Sequence, residues 1–247
     1  MTRTSDIANS VKALTFDTGG TVLDWHGGVL TAMQAQGAAL GIEADWGALT
    51  KRWRRLSTGM VNDGLPQEGG KASMGMDDVL RVTLDQTLSE AGLDDLSAQT
   101  RADLVQAWRT LPAWPDAATG LRRLRAKYII TPFTILNTEL VIQASRSAGI
   151  SWDCVISCEM IGVYKTHPTA YATAARWLGL KHDEILMVTT HNNDLRASNE
   201  NGFNTAFAYR PDEWGDIPSL DPEPDPLADI VCQDCNDLAA MLGCPPV

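Results

Sequence analysis

The sequence lacks the long apolar runs and the basic character that mark several common classes of protein. No stretch approaches 18 uncharged apolar residues, so no membrane-spanning helix is predicted. The first ten residues have no apolar core of the signal-peptide kind. Lys and Arg number 20 against 31 Asp and Glu, which gives a net charge of −11. Because contact with phosphate groups needs clustered basic residues, nucleic acid and anionic membranes are not expected as partners.

Cysteine is also scarce: five in 247 residues do not make a disulfide framework in a chain of this length. Cys232 and Cys235 form a C-x-x-C pair, but no second pair at zinc spacing and no His partner follows. Cys232 ends an apolar run, so a structural thiol is favoured over redox or metal chemistry, and the expected compartment is the cytoplasm. What the chain does have is 44% apolar residues, which is enough to form a core and excludes disorder over most of its length.

The first 110 residues divide into a short strand and a long helical block. The β-rich run 11–16 ends at Asp17 and is followed by Gly19 and Gly20, which predicts a strand and a tight turn. Residues 27–110 have helical periodicity and few strand signals. Helices are predicted within this block at 45–60, 76–92 and 97–109, with a Gly-rich break at 62–75.

Beyond Pro112 the pattern changes to a regular alternation of strands and helices. The predicted helices are 116–127, 138–148, 168–179 and 194–201, and the predicted strands are 128–134, 153–157, 185–190 and 204–209, with a last strand and helix in 228–242. This alternation predicts an α/β fold with a Rossmann-like parallel sheet core, covered by helices on both faces. Residues 1–26 and 111–247 would form the core, and 27–110 an inserted helical cap. The acidic, Pro-rich segment 212–227 is predicted to be a surface excursion.

Polar side chains that could take part in a reaction follow the first four predicted strands. Asp17 and Thr21 come after the first strand, Thr134 ends the second, Lys165 lies beyond the third and Asp194 follows the fourth. The carboxyl ends of parallel strands meet at one crevice, so we expect these side chains to lie together. Two carboxylates with an ammonium and a hydroxyl are typical of a nucleophile site.

Four segments at these positions resemble, in order, the motifs of the haloacid dehalogenase superfamily. They are FDTGGTVLD at 16–24, the hydroxyl of Thr134, YKTHP at 164–168, and HNNDL at 191–195 followed by Gly202. The resemblance covers the whole chain. It implies that the helical block 27–110 is the cap that closes over the crevice.

Two positions favour one branch of that superfamily. Its phosphatases have a general-acid Asp two residues after the nucleophile, where this chain has Gly19. They bind magnesium through an Asp four residues before the last Asp of the fourth motif, where this chain has Thr190, a poor substitute for a carboxylate ligand. A halide leaves without protonation, and a haloacid needs no metal. The chain therefore resembles the (S)-2-haloacid dehalogenase branch, which implies hydrolysis without metal or cofactor.

This closer resemblance implies roles for the matched residues. Asp17 would attack the halogen-bearing carbon, and Lys165 and Asp194 would assist hydrolysis of the aspartyl ester that results. The residues implied to bind substrate or halide are Thr18, Thr21, Arg54, Thr134, Tyr171 and His191. Arg54, in a Trp-Arg pair of the cap, would receive the halide, and His191 matches a His of relatives that act on haloacetates, including fluoroacetate. The implied partner is a small anionic acid, and the family suggests a homodimer.

The expected pocket differs from the branch pattern at two positions. Ile135 stands where an Asn that cradles the halide is usual, and Asn193 stands where an aromatic residue is frequent. Two alternatives therefore stay open beside dehalogenation. One is hydrolysis of another small ester by the same fold, with phosphatase activity disfavoured by Gly19 and Thr190. The other is a non-catalytic member that binds a small acid or a protein partner.

Overall fold

Strands and helices alternate along most of the chain in the computed structural model, which describes residues 3–65, 67–68 and 71–246. The strands are β1 (Ala13–Phe16), β2 (Gln67–Glu68), β3 (Lys71–Ala72), β4 (Ile129–Thr134), β5 (Ile156–Ser157), β6 (Ile185–Thr189), β7 (Asn204–Ala208) and β8 (Ile230–Cys232). The α-helices are α1 (Arg3–Ser10), α2 (Trp25–Leu40), α3 (Trp46–Asn62), α4 (Met76–Glu90), α5 (Ala98–Gln106), α6 (Ala117–Arg125), α7 (Thr138–Ser147), α8 (Cys158–Ile161), α9 (Pro168–Leu178), α10 (Asn192–Glu200) and α11 (Cys235–Met241).

The main sheet has the strand order β5-β4-β1-β6-β7-β8, and every pairing in it is parallel. β1 lies near its middle, with Ala13 in register with Ile129 on one side and Ile185 on the other. All four residues of β1 are buried, as expected for a strand covered on both faces. The predicted α/β fold with a parallel sheet is confirmed. Because β4 and β6 lie on opposite sides of β1, strand order reverses here and opens a crevice at the carboxyl ends.

The block between β1 and β4 is helical apart from the hairpin β2–β3, which falls in the predicted Gly-rich break. Its first helix begins at Trp25 rather than at residue 27, because the Asp24 carboxylate accepts a hydrogen bond from the Gly27 amide at 2.8 Å and caps the helix. Trp53 and Trp108 are buried within the block and meet edge to face. The division into a core and a cap stays a prediction.

The segment 212–227 runs over the surface for most of its length, as predicted, but two of its residues turn inward. Glu213 and Trp214 are buried, and the ring of Trp214 packs edge to face on Trp25 with centroids 4.9 Å apart. Of the acidic residues in the segment, Asp212, Asp216 and Glu223 are exposed, so an acidic composition by itself does not show that Glu213 turns inward.

Two further differences concern the ends of elements. Helix α1 is absent from the sequence prediction, and its Ile7 packs into the hydrophobic core. Strand β5 has only two residues, against five predicted. Within the described ranges, none of the helices has the length and apolar character needed to cross a bilayer.

Candidate functional site

Three charged side chains meet at the carboxyl end of the sheet, as their positions predict. Asp17 follows β1, Lys165 lies between α8 and α9, and Asp194 lies in the first turn of α10. The Lys165 ammonium is 3.2 Å from Asp17 Oδ1 and 2.6 Å from Asp194 Oδ2. All three residues are buried, so solvent screens these interactions weakly.

The surroundings of Asp17 keep it ionised. Burial by itself would raise the pKa of Asp17, but the positive charge of Lys165 and a hydrogen bond from His191 outweigh burial and hold that pKa well below its usual range. Burial would likewise lower the pKa of Lys165, and the charges of Asp194 and Asp17 raise it instead. Asp17 is therefore an anion throughout the neutral range, as a nucleophile must be.

Hydroxyl groups hold the two carboxylates in place. Thr21 donates to Asp17 Oδ2 at 2.9 Å and accepts from the Thr190 amide. Tyr171 donates to Asp194 Oδ1 at 2.7 Å. The Thr18 and Thr134 hydroxyls are hydrogen-bonded to each other at 2.5 Å.

These four hydroxyl residues lie behind the reactive groups. Thr18, Thr21, Thr134 and Tyr171 are almost completely buried and are not among the residues that line the cavity. Their direct contact with substrate stays a prediction, whereas their contacts with Asp17, Asp194 and each other are part of the fold.

Arg54 approaches the site from α3. Its side chain is buried, its Nη2 donates to the Gly19 carbonyl at 3.2 Å, and its guanidinium lies over Trp25 and Trp108 at 5.2 and 5.8 Å from the ring centroids. Its Nε and Nη1 have no hydrogen-bond partner among the described residues. Burial lowers the pKa of Arg54, although the charges of Glu213 and Asp17 oppose this. A buried guanidinium with unused donors is suited to binding an anion.

His191 occupies a position between two carboxylates. Its Nδ1 is 3.2 Å from Asp17 Oδ2, and its Nε2 is 2.9 Å from Glu213 Oε1. Burial alone would lower the pKa of His191, but Glu213 and Asp17 raise it to about 10. Burial would raise the pKa of Glu213, but the charge of His191 and its hydrogen bond lower it.

Glu213 is the residue of this site that the sequence reasoning missed. It lies in the segment after β7, and its Oε1 also accepts a hydrogen bond from Trp25 Nε1 at 3.0 Å. The signal that could have found it is Trp214, because a tryptophan within an otherwise acidic and Pro-rich stretch indicates that the chain turns inward there.

A cavity of about 220 Å³ connects these groups. Its lining residues are Asp17, Gly19, Arg54, Thr58, Asn62, Ile135, Leu136, Lys165, Thr166, His191, Asn193, Asp194, Glu213, Trp214, Leu220 and Asp221. Both residues that depart from the branch pattern, Ile135 and Asn193, are on this wall. The cavity therefore combines a carboxylate nucleophile, three cationic side chains and a partly apolar surface.

Comparison with known proteins agrees with this geometry. Residues 11–202 match the family model of the haloacid dehalogenase-like hydrolases, and the chain belongs to that family. It is 28% identical to (S)-2-haloacid dehalogenase 4A of Burkholderia cepacia over 209 residues, which are 83% of this chain and 85% of that protein.

Solved structures show the same fold. The crystal structure of a defluorinating L-2-haloacid dehalogenase superposes with a TM-score of 0.88 at 36% identity, covering 94% of this chain and 95% of that chain. An L-2-haloacid dehalogenase from Xanthobacter autotrophicus, crystallised with chloropropionic acid covalently bound, superposes with a TM-score of 0.76 at 25% identity, covering 94% and 98%.

Proposed function

We propose that this enzyme hydrolyses the carbon–halogen bond of a short 2-haloacid through an ester on Asp17. The observation that carries the proposal is the guanidinium of Arg54, buried in the wall of the cavity that Asp17 also lines, with two nitrogen atoms that no described residue satisfies. A departing halide is a small anion that needs such donors. The volume of about 220 Å³ suits a small acid.

The residues around Asp17 favour a halide over an alkoxide as the leaving group. The phosphatases of the superfamily protonate an alkoxide with an Asp two residues after the nucleophile, but Gly19 stands at that position and its carbonyl accepts from Arg54. The Lys165 ammonium lies between Asp17 and Asp194 and forms an ion pair with each of them. A halide departs without a proton, so its charge requires only the Arg54 cation.

In the first step, an Asp17 oxygen attacks the halogen-bearing carbon from the side opposite the halogen. The new carbon–oxygen bond forms as the carbon–halogen bond breaks, its electron pair leaves with the halide, and configuration inverts. Oδ1 is the better nucleophile, because among the described residues it accepts one hydrogen bond, at 3.2 Å from Lys165, while Oδ2 lies within reach of Thr21 and His191.

In the second step, water attacks the carboxyl carbon of the Asp17 ester. Asp194 accepts the proton from water, and Lys165 and Tyr171 hold its carboxylate in place at 2.6 and 2.7 Å. The ester bond to the substrate breaks, releasing a 2-hydroxy acid. Asp17 keeps one oxygen atom from the water, and the net reaction yields one halide and one proton.

Halide release tests this proposal directly. Wild type and Asp17→Asn are incubated with fluoroacetate, chloroacetate and each enantiomer of 2-chloropropionate. We expect release by wild type from at least one of these acids and none above background by Asp17→Asn, since an amide is a very weak nucleophile. Single turnover in water enriched in heavy oxygen should leave the label in Asp17. Release that survives Asp17→Asn, or no release from any of the acids, contradicts the proposal and favours another small ester or a binding role.

Two properties of the working enzyme are proposed with this function. We place it in the cytoplasm, supported by the burial of Cys158, Cys232, Cys235 and Cys244 as thiols, and we propose a homodimer on the family resemblance. Cell fractionation and sedimentation of the purified protein test these two points, and a secreted or monomeric protein contradicts them.

A further inference from the structure

The imidazole of His191 is bounded at both ring nitrogens by buried carboxylates. Asp17 Oδ2 lies 3.2 Å from Nδ1, and Glu213 Oε1 lies 2.9 Å from Nε2. The side chains of Asp17 and Glu213 are only 10% and 2% exposed, so water competes weakly with His191 as their partner. The two carboxylates come from different parts of the chain, one after β1 and the other after β7.

This arrangement selects one protonation state of the ring. An ionised carboxylate accepts hydrogen bonds and donates none, and a neutral imidazole has a hydrogen on only one of its two nitrogens. Either neutral tautomer would therefore direct a nitrogen lone pair at a carboxylate oxygen. Only the imidazolium donates to Asp17 and Glu213 together.

We propose that Glu213 is a positioning residue that keeps His191 in the imidazolium form, with its Nδ1 hydrogen directed at Asp17 Oδ2, and that this donor serves hydrolysis of the Asp17 ester. The last part rests on the proposed function. Asp17 loses its negative charge when the ester forms, and an oxyanion develops on the same carboxyl group when water attacks. Donors already aimed at Oδ2, the Thr21 hydroxyl and the His191 imidazolium, stabilise that charge without reorganising.

The fold holds Glu213 in place for this role. Its Oε1 accepts from Trp25 Nε1 as well as from His191. It lies directly against Gly20, where any Cβ atom would overlap the carboxylate. Glu213 is only 1% exposed to solvent. The His191 imidazolium and the nearby Arg54 are therefore the cations that balance its charge.

Other charges near His191 do not replace Glu213. Arg54, from α3, is positively charged and therefore opposes protonation of the ring. Asp194 lies on α10, which begins just after His191, and is hydrogen-bonded to Lys165 and Tyr171. Asp221 lines the same cavity. Glu213 and Asp17 are the carboxylates in contact with the ring, and Asp17 becomes neutral in the ester. Glu213 then remains as the anion in contact with the imidazolium.

Titration of His191 by NMR tests the positioning role without any substrate. The protein is made with isotope-labelled histidine, and the signal of His191 is assigned among the four histidines by its loss in His191→Asn. Wild type should keep His191 protonated up to a pKa of about 10. Glu213→Gln has the same shape and keeps an acceptor for Trp25, and it should lower that pKa by about one unit or more. Glu213→Asp, which keeps the charge, should restore part of the difference.

A matched control removes a neighbouring charge that does not contact the ring. Asp216 lies on the same segment, is exposed, and forms an ion pair with Lys51 of α3. Asp216→Asn should leave the titration of His191 where it is in wild type. The inference is overturned if wild-type His191 titrates near 6.5, or if Glu213→Gln and wild type give the same pKa.

The catalytic part is tested by the pH profile of halide release and by the ester intermediate. In the free enzyme the pKa of His191 is raised, so the imidazolium is present below about pH 10 and is lost above it. In the ester, where Asp17 is neutral, that pKa is lower and Glu213 is what keeps it raised. The alkaline limb of kcat should therefore move to lower pH in Glu213→Gln, and the ester should accumulate there in acid-quenched samples analysed by mass spectrometry. A lowered pKa with an unchanged kcat profile overturns the catalytic part. Absence of halide release from wild type contradicts the proposed function alone, because the NMR result stands without it.

Discussion

Arg54 and Lys165 are both buried cations beside Asp17, but their surroundings differ. Lys165 is held between two carboxylates, Asp17 and Asp194, which leaves little of its charge for a substrate. Arg54 has two nitrogens without a partner among the described residues and two aromatic rings against its faces. In a chain of net charge −11, attraction of an anion to this cavity therefore depends chiefly on Arg54.

Removing the guanidinium should impair the departure of the halide. In Arg54→Met we expect kcat/KM for halide release to fall by about 10²–10³-fold, as for loss of a preorganised electrostatic donor. Arg54→Lys should recover little, because an ammonium cannot offer the same fork of donors.

Steady-state kinetics of these variants are compared with Arg52→Met, in which an exposed arginine that pairs with Glu90 is removed two residues away on α3. That control should behave as wild type. Equal kinetics for Arg54→Met and wild type would show that the halide is bound elsewhere.

At the scale of elements, the sequence predicts well what immediately follows a strand. Asp17 and Asp194 could be placed because each follows an apolar run, and the carboxyl ends of parallel strands meet. The basic run 51–55 in α3 was harder, since such a run is usually solvated. The structure buries Lys51 and Arg54, three residues apart on one helix face, while Arg52 and Arg55 face solvent.

Contacts with irregular segments could not be predicted from the sequence. Glu213 lies after the end of β7, but it has no periodic pattern around it and no motif that singles it out, and tertiary packing brings it to Trp25 and His191. Sequence reasoning overestimates the length of β5 and does not predict α1 for a related reason, because elements this brief carry too few residues to show a clear period.

The hydrogen bond at the N-terminus of α2 gives a test at the scale of elements. Asp24→Ala removes the acceptor for the Gly27 amide and should lower the free energy of unfolding by about 1 kcal/mol. Urea denaturation followed by circular dichroism measures this difference. Asp24→Asn keeps an acceptor oxygen and should lose much less, and equal losses in both variants would mean that the hydrogen bond is not what stabilises this end of the helix.

For the whole molecule, a buried ion pair ties distant parts of the chain together. Both Arg210 terminal nitrogens bond to the Asp116 carboxylate at 2.9 and 2.8 Å, and the same carboxylate accepts from the Cys235 amide. The pair thus joins the start of α6, the segment after β7 and the start of α11. Burial would raise the pKa of Asp116, but Arg210 and the backbone amide lower it.

Breaking this pair should destabilise the protein in a pH-dependent way. Asp116→Asn leaves Arg210 buried without its anion, and we expect the free energy of unfolding to fall by about 3 kcal/mol at neutral pH. Since the folded pKa of Asp116 lies below 3.8, its contribution is present above that pH and is lost as pH falls through the folded value.

Unfolding of wild type and Asp116→Asn is therefore measured across the acid range, where the gap between them should close. Glu90→Gln, which breaks the exposed pair with Arg52, serves as the control and should lower the free energy of unfolding far less than Asp116→Asn does, because solvent screens an exposed pair. A gap that stays constant down to the lowest pH would rule out the ion pair as its cause.

Because Gly20 and Glu213 lie in contact, the residue at one position limits what the other can become, although the two are 193 residues apart in sequence (213 − 20). Gly20 has a φ of +105°, which already disfavours a side chain there, and the carboxylate of Glu213 takes up the space that a side chain would need. A side chain at position 20 therefore needs Glu213 to move or to be replaced by a smaller residue, and the positive φ strains it even then. Directed evolution of this enzyme toward new acids should therefore vary position 20 only together with position 213, because a side chain at position 20 beside an unchanged Glu213 would overlap its carboxylate.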